Sequence, residues 1–487
     1  MLFNSVIFIT TFLRLTLAGW YILQQTKNPL YARVFLVGMS FWFYGYYNPG
    51  YLVILFCSLL INYGCSFLFE KTASGPSRRI VLILALAFNL GGLFYYKYFN
   101  FFLDNVNFLL HSDWQVEKIM LPLGISFFTF QQVSFVVDRY CGKAPHYGIT
   151  EYACFITFFP QLIAGPIVLH DEFIPELRQR QNRKPCWDDF FDGAALFILG
   201  LGKKVLLADV LAIVVNAEYQ NIPYLDAPSA WLTIILYVLE LYFDFSGYCD
   251  MARGIGRMFG FQLPENFNSP LKAVSVRDFW KRWHMTLSRF LSSYIYVPLG
   301  GNRRGIAVKC WNLMVVFGIS GLWHGADWTF VVWGAMHGLA MVWETLLPGL
   351  RFRSAFMNRV VTGIFITLSF SVFRSDSLEM AWMLWKKLFA GGWNGFLIGM
   401  CNTLQIPETY VLRKMLELKF PDLQNPFYAL CMVMLLGISV VLVMGEKAES
   451  WISRKGRTRR GLFLLAAIFT WSLISLSQVS TFLYFNF

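Results

Sequence analysis

Two histidines stand in an apolar stretch that is punctuated by glycine. The stretch is GISGLWHGADWTFVVWGAMHG, residues 318–338, and it contains His324 and His337. An ionisable residue inside a membrane is a functional candidate, and burial favours the neutral imidazole, which can accept a proton. The sequence therefore offers a general base that is shielded from water. The alternative is a pair of hydrogen-bonded core histidines.

The spacing of these histidines argues against a shared face and against a metal. Thirteen residues on a continuous helix place His324 and His337 about 140° apart, and Gly325 and Gly334 are expected to interrupt the helix. A zinc site needs three protein ligands, and no cluster of histidine or cysteine is close enough in sequence to supply them. No metal is predicted. Asp327, three residues after His324, could orient its imidazole.

A third histidine lies in the basic stretch 253–309, which is too polar to span a membrane. On a helical wheel, SVRDFWKRWHMTLSRFLSSYIYVPL (275–299) has one continuous aromatic and aliphatic face, a polar side, and His284 on the seam between them. We expect an amphipathic helix in the membrane interface with its basic side toward the cytosol. His284 is then either an interfacial histidine without a role or part of a site.

The loop that follows is a candidate phosphate site. It reads PLGGNRRG, residues 298–305, and carries Asn302, Arg303 and Arg304 beside three glycines. Free backbone N–H groups and arginines can hold phosphate. A simple cytoplasmic turn that obeys the positive-inside rule explains the same residues.

Two carboxylates end an apolar run upstream. They are Asp244 and Asp250 in LYFDFSGYCDMARGIGRMFGF, residues 241–261. Carboxylates at membrane depth need a partner, so we expect structural ion pairs with Arg253 or Arg257, with substrate contact as the second interpretation. Farther upstream, FFPQLIAGPI (158–167) has two prolines and a glycine, which predicts a kink or a broken helix lining a cavity.

The whole composition requires a lipid environment to position these residues. Of 487 residues, 56% are hydrophobic and only 14% are charged, whereas soluble domains carry about 25% charged residues. About 11–13 apolar runs have the length of membrane elements, and 310–346 should contain two of them. We expect one domain over residues 1–487, with 253–309 as a basic cytoplasmic or interfacial segment inside it. The distribution of basic loops places the N-terminus outside, and a chain this lipophilic is not expected to bind nucleic acid.

Several long motifs together resemble one family. The runs NFNSPLKAVSVRDFWKRWHMTLSRFLSSYIYVPLGGNRRG and GLWHGADWTFVVWGAMHG, in this order, are similar to the membrane-bound O-acyltransferases, and most of all to the bacterial branch that includes the alginate O-acetylation protein. The motifs of 241–261 and 158–167 match the same branch. The resemblance is strong over about 119–345 and weaker at MLFNSVIFI and at the terminal TFLYFNF.

The resemblance implies a fold and a site. The fold is an all-α polytopic membrane protein whose helices surround a funnel or tunnel. The family's histidine in a WHG-type motif corresponds to His324, and its second active-site position corresponds to His284. His337 would then be a supporting residue that helps to position the site. Asp327, Asp244 and Asp250 are weaker candidates for supporting residues. Arg303, Arg304 and Asn302 would contact the phosphates of the donor.

The implied activity is transfer of an acyl group from a thioester to an oxygen. His324 would be the general base or would carry the acyl group covalently, and the sequence leaves both mechanisms open. The best interpretation is that acetyl-CoA, as substrate with no bound cofactor, supplies acetyl groups across the bacterial inner membrane for a surface polysaccharide. An extracytoplasmic SGNH-type transferase would be the partner. The alternatives are D-alanyl transfer from a carrier-protein thioester to teichoic acid and, from another class, a proton-coupled transporter.

Overall fold

A computed structural model describes residues 1–72, 75–117, 119–179, 185–350, 352–390, 392–404, 406–476 and 483. Within these residues every regular element is helical. In the first half of the chain the α-helices are α1 (Leu13–Gln24), α2 (Pro29–Gly45), α3 (Gly50–Lys71), α4 (Pro76–Leu93), α5 (Phe99–Leu110), α6 (Ile125–Tyr140), α7 (Ile149–Thr157), α8 (Phe159–Leu162), α9 (His170–Gln179), α10 (Trp187–Gly202), α11 (Asp209–Gln220) and α12 (Ala227–Met258).

The second half continues the all-helical pattern. Its α-helices are α13 (Val276–Trp280), α14 (Met285–Leu291), α15 (Ile306–His324), α16 (Trp328–Leu346), α17 (Ala355–Arg374), α18 (Leu378–Ala390), α19 (Phe396–Cys401), α20 (Tyr410–Lys419), α21 (Gln424–Met444), α22 (Ala448–Trp451) and α23 (Arg459–Ser475). Short π-helical or 3-10 turns adjoin several of them, including Lys203–Ala208 before α11.

Among the residues that the structure describes, six helical segments are long and apolar enough to cross a membrane. They are Gly50–Lys71, Pro76–Leu110, Ala227–Met258, Ile306–His324, Ala355–Arg374 and Pro421–Met444. A helix that crosses the hydrocarbon layer needs about 20 residues. The prediction of an all-α, multi-pass membrane protein is therefore confirmed. The remaining predicted membrane elements form shorter or more polar helices, and 310–346 contains two helices as expected.

The chain divides into two compact units. The first contains Met1–Ile198, Tyr248–Asn266 and Thr286–Ile295. Its interior is rich in phenylalanine: Phe8, Phe12, Phe43 and Phe159 pack mutually with ring centroids 5.2–6.2 Å apart. The offset and edge-on geometries are those that aromatic rings prefer.

The second unit contains Leu199–Gly247, Phe267–Met285 and Tyr296–Phe487. Its buried core includes Trp280, Trp283, Phe317, Trp333 and Phe370. The prediction of a single domain over residues 1–487 stays a prediction. Of the terminal motif TFLYFNF, only Leu483 belongs to the described residues.

The helix that contains FFPQLIAGPI is broken, as the prolines predicted. α7 ends at Thr157, Phe158 turns the chain (φ −50°, ψ 108°), and the short α8 covers Phe159–Leu162. An added Cβ at Gly165 would lie 2.4 Å from the Cα of Gln161, so the chain after α8 folds back tightly on it. The cavity expected beside this break stays a prediction.

The prediction of one continuous amphipathic helix over 275–299 is wrong. Ser275 caps α13 by accepting the backbone N–H of Asp278, and α13 ends after five residues at Trp280. The chain turns through 281–284 before α14 begins at Met285. The aromatic face of the wheel exists, but it is buried inside the protein: Trp283 is 3% exposed.

Candidate active site

His284 and His324 come together in the second unit. Their ring centroids are 6.4 Å apart, and the ring planes are inclined by 61°. His284 is completely buried and His324 is 4% exposed. The structure thus brings together the two histidines that the family resemblance implied for the active site.

His324 is placed by the hairpin of α15 and α16. It is the last residue of α15, and α16 returns alongside after three residues. The two helices touch backbone to backbone, because a Cβ added at Gly321 would lie 2.3 Å from the Phe330 carbonyl oxygen and one at Gly334 would lie 2.4 Å from the Phe317 carbonyl oxygen. Glycine at both positions thus permits the approach that fixes His324.

Asp327 caps a helix in this hairpin. Its carboxylate accepts the backbone N–H of Thr329 at 2.9 Å and caps the N-terminus of α16. Such a cap satisfies a donor that the first helical turn leaves open. Its expected role in orienting His324 stays a prediction.

His284 owes its orientation to an unusual backbone conformation. It has φ 45°, in the left-handed region, and it ends the turn between α13 and α14. The Arg282 carbonyl of this turn accepts a hydrogen bond from the Asn268 N–H at 2.8 Å, which ties the turn to the segment before α13. Non-glycine residues in this region cost energy and cluster at functional sites. The strained turn re-aims the imidazole away from the direction that a continuous helix would give it.

Aromatic rings hold the His284 imidazole. Phe245 of α12 packs edge-on against it at 4.8 Å, and Trp323 lies 5.8 Å away. Burial in these surroundings lowers the pKa of His284 to about 3. The imidazole is therefore neutral at physiological pH, with one nitrogen as donor and the other as acceptor.

The His324 imidazole is packed in the same manner. Trp323, Trp333 and Phe373 surround it, with centroid distances of 4.9, 5.1 and 5.3 Å. The ring planes are inclined by 73–87° in these three contacts, which places ring edges against the faces of their neighbours. The packing restricts rotation of the imidazole.

His337 is fixed by hydrogen bonds on both ring nitrogens. Trp280 Nε1–H donates to Nδ1 at 3.1 Å, so Nε2 carries the proton and faces the Ser369 hydroxyl at 3.0 Å. Ser369 in turn donates to the Ile366 carbonyl at 2.9 Å. Trp333 lies between the two histidines, 4.8 Å from His337. This geometry suits the supporting position expected for His337.

Asp244 is buried in an ion-pair cluster. The expectation that an arginine would be its partner is wrong, because Lys204 Nζ lies 2.6 Å from Asp244 and 2.7 Å from Asp209. Arg257 instead pairs with acidic residues of α10. Arg253 and Arg257 are more than two turns farther along the same helix, and a side chain cannot reach back that far.

The other predicted residues lie on α12 and in the turn before α15. Asp250 is half-buried on α12 and belongs to the first unit. Asn302, Arg303 and Arg304 are exposed in a tight turn of the second unit, where Gly300, Gly301 and Gly305 have positive φ. Asn312 supports this turn by donating to the Gly301 carbonyl at 2.9 Å. The contact of the turn with phosphate stays a prediction.

Residues 96–374, more than half of the chain, match the family model of the membrane-bound O-acyltransferases. The chain belongs to this family. It is therefore an acyltransferase, and the family membrane fold agrees with the six spanning segments. The histidine pair lies within the matched residues.

Curated relatives narrow the branch of the family. A peptidoglycan O-acetyltransferase of Helicobacter pylori is 37% identical, and the alignment covers 100% of this chain and 98% of that protein. A probable alginate O-acetylase of Pseudomonas aeruginosa is 34% identical over 80% of this chain and 75% of its own. A teichoic acid D-alanyltransferase of Streptococcus thermophilus is more distant, at 23% identity over 66% of this chain and 83% of its own.

Sequence reasoning missed the residues that hold the imidazoles. Nothing in the sequence distinguishes Phe245, Phe373 and Ser369 from their neighbours, because apolar and small residues occur throughout the helices of this chain. Lys204 could have been found from the sequence, because it is a basic residue within the apolar run 190–216 and such residues need a buried partner.

Proposed function

We propose that this protein moves acetyl groups from cytosolic acetyl-CoA across the membrane for O-acetylation of a cell-surface polysaccharide. The observation that carries the proposal is the pairing of His284 and His324 at 6.4 Å inside one aromatic pocket. The likeness to two O-acetyltransferases over most or all of the chain supports acetyl as the transferred group.

The two imidazoles have different roles in the reaction. His324 accepts the proton of the acceptor hydroxyl as its oxygen attacks the thioester carbonyl, a contribution of about 10²–10⁴-fold in rate. His284 is neutral and donates its N–H to the carbonyl oxygen, where negative charge develops. The C–O bond forms, the C–S bond breaks, and the thiolate takes up a proton. In the alternative mechanism, His324 first carries the acetyl group itself.

The donor enters from the basic face of the second unit. Asn302, Arg303 and Arg304 are exposed there and free to meet the phosphates of coenzyme A, which guanidinium groups bind in bidentate fashion. By the positive-inside rule this face is cytoplasmic, the protein resides in the bacterial inner membrane, and its N-terminus is extracytoplasmic.

Peptidoglycan is the first acceptor to test. The relative with that substrate in its name aligns over the full chain, whereas those named for alginate align over 80% of it. An SGNH-type transferase outside the membrane would complete the transfer to the polymer. D-alanyl transfer to teichoic acid has support only from the more distant relatives.

The decisive experiment measures donor choice in the purified, membrane-reconstituted protein. We expect turnover with acetyl-CoA and much less with palmitoyl-CoA or a D-alanyl carrier-protein thioester. A clear preference for palmitoyl-CoA would overturn the polysaccharide function, and a preference for the D-alanyl thioester would favour the teichoic acid function.

A second experiment tests the donor-binding turn. The double variant Arg303→Gln, Arg304→Gln should raise the KM for acetyl-CoA at least fivefold and leave kcat unchanged. The matched control is Arg353→Gln, an exposed arginine in the connection between α16 and α17. An equal effect of both variants, or of neither, contradicts phosphate binding by this turn.

A further inference from the structure

Helix α13 is attached to α16 at both of its ends. At its start, the backbone N–H groups of Val276 and Arg277 donate to Oε1 and Oε2 of Glu344 at 2.7 and 3.2 Å. At its end, Trp280 Nε1–H donates to Nδ1 of His337 at 3.1 Å. Glu344 and His337 are seven residues apart, which is about two helical turns, so both contacts are on the same face of α16. α13 therefore lies along that face, antiparallel to α16.

The carboxylate of Glu344 completes the N-terminus of α13. The first N–H groups of a helix have no partner inside the helix. Ser275 accepts the N–H of Asp278, and the N–H groups of the two residues before Asp278 donate to Glu344. A helix of five residues depends on such outside contacts, and hydrogen bonds to a carboxylate are stronger than those to a neutral acceptor. Glu344 therefore fixes the start of α13 against α16.

Arg277 makes a second contact with α16 at the same place. Its Nη2 donates to the Thr345 hydroxyl at 2.7 Å, and Thr345 donates to the Met341 carbonyl at 2.8 Å. This contact is made by a long side chain with several rotatable bonds. Glu344 differs from it because it binds the backbone of α13 directly.

The same helix α16 also holds His324. The α15–α16 hairpin brings His324 to the first turns of α16, where Trp333 packs against its ring at 5.1 Å. Trp333 lies 4.8 Å from His337 and 5.9 Å from Trp280. α16 is thus the common support of both parts of the histidine pair. The distance between the two imidazoles depends on where α13 lies along α16.

The chain between α13 and His284 is short and tied down. His284 is four residues after Trp280, and Arg282 holds the turn between them. Arg282 Nε donates to Asp278 Oδ1 at 2.8 Å, and its carbonyl accepts the Asn268 N–H at 2.8 Å. A shift of α13 by one residue along its axis is about 1.5 Å, and the tied turn passes this shift on to His284. Misplacement of a reacting group by about 1 Å can cost about 100-fold in rate.

We propose that Glu344 is a positioning residue for acyl transfer: it fixes α13 against α16 and thereby sets the place of the His284 imidazole relative to His324. This proposal rests on the roles given to the two histidines in the function proposed above. His284 acts on the negative charge that develops at the carbonyl oxygen. A misplaced His284 therefore lowers kcat and leaves the KM for acetyl-CoA unchanged.

The first test separates kcat from KM in the reconstituted full chain. Glu344→Ala removes both acceptor oxygens and should lower kcat at least about tenfold, at unchanged KM for acetyl-CoA. Glu344→Gln keeps one acceptor oxygen at the same reach and should lose less.

The matched control for this test is Asp226→Ala. The Asp226 carboxylate also accepts two backbone N–H groups, of Ser229 and Asn394, but at the start of α12. This variant should leave kcat of the folded protein unchanged. Wild-type kcat in Glu344→Ala, or an equal loss in Asp226→Ala, contradicts the positioning role.

The second test asks whether Glu344 acts through His284. In a chain that already carries His284→Ala, the further change Glu344→Ala should lower kcat by less than about twofold, because no imidazole remains to be positioned. A residue that only stabilises the unit lowers kcat by the same factor with and without His284. Equal factors in the two backgrounds contradict the positioning role.

The third test needs no turnover. Isotope-labelled histidine gives imidazole NMR signals of the six histidines, and His284→Asn identifies the His284 signal by its loss. Glu344→Ala should shift this signal and leave that of His170 in place, and Asp226→Ala should move neither. An unmoved His284 signal overturns the positioning role. A shifted signal in a protein whose wild type transfers no acetyl group contradicts the proposed function and leaves the positioning role standing. If Glu344→Ala does not fold, Glu344→Gln replaces it in all three tests, with smaller changes in the same direction.

Discussion

His170 of the first unit and the pair of His284 and His324 in the second unit are held in different ways. In the first unit, His170 has both ring nitrogens in hydrogen bonds, with the Tyr147 hydroxyl at 3.0 Å and the Asp138 carboxylate at 3.3 Å. Tyr294 donates to the same carboxylate oxygen at 2.5 Å. In the second unit, His284 and His324 face each other and are held by aromatic rings.

The difference predicts which histidines are structural and which are reactive. A network that occupies both nitrogens of an imidazole fixes its tautomer and uses its capacity to accept a proton. His337, bonded to Trp280 and Ser369, resembles His170 in this respect. Packing by aromatic rings holds the His284 and His324 imidazoles in fixed orientations, and a general base must be held in position in this way.

The largest expected effect separates the two kinds of histidine directly. His324→Ala should lower kcat for acetyl transfer at least about 100-fold, because it removes the base. His170→Gln should leave kcat of the folded protein unchanged and lower the free energy of unfolding by about 1–3 kcal/mol, because Asp138 and Tyr147 lose a partner. Turnover and thermal unfolding of both variants check this. Wild-type turnover in His324→Ala would remove that residue from the reaction.

Substitution of His284 tests whether its strained backbone matters as much as its ring. Asparagine tolerates the left-handed conformation better than alanine, so His284→Asn should be more stable than His284→Ala by about 1 kcal/mol. It should also retain more activity, because its amide can still donate a hydrogen bond. Urea unfolding and kcat measurements distinguish the two. Equal stability of both variants would show that φ 45° carries no cost.

Substitutions in the α15–α16 hairpin test whether the position of His324, rather than its chemistry, affects activity. Gly321→Ala should destabilise the protein by about 1–3 kcal/mol and lower kcat, because the added methyl group meets the Phe330 backbone. Gly318→Ala, on the same helix with nothing within 4 Å of the added atom, should be neutral or slightly stabilising. The same response from both variants would mean that helix propensity, not close approach, decides at Gly321.

The last prediction concerns the acid dependence of stability. The pKa of His284 is about 3 in the folded protein and 6.5 when unperturbed, so the unfolded state binds more protons between these values. Its contribution to stability is complete above pH 6.5 and is lost as the pH falls toward 3. Between pH 6 and 4, His284→Asn should therefore lose stability less steeply than wild type, by about 1.4 kcal/mol per pH unit. Unfolding curves of both proteins with the same slope would contradict a neutral His284.

Local patterns in the sequence were sufficient for part of the site. The family motif around His324 and the spacing to His284 predicted that these two residues belong to one site, and the structure places their rings 6.4 Å apart. The prolines of 158–167 predicted the interruption of that helix. The helical wheel of 275–299 named the correct buried face but assumed a continuous helix. A wheel carries no information about a residue that leaves the helical conformation, as His284 does.

The sequence by itself determined the solvent, the helical class, and the residue types that can perform acyl transfer, because composition and periodicity act within one segment. Only the tertiary structure decided which groups meet. His284 meets His324, Asp244 meets Lys204, and Trp280 meets His337 across 40 to 57 residues of chain. Such pairs depend on how helices pack against one another, and helix packing is set by the shape of whole buried faces rather than by any short run of residues.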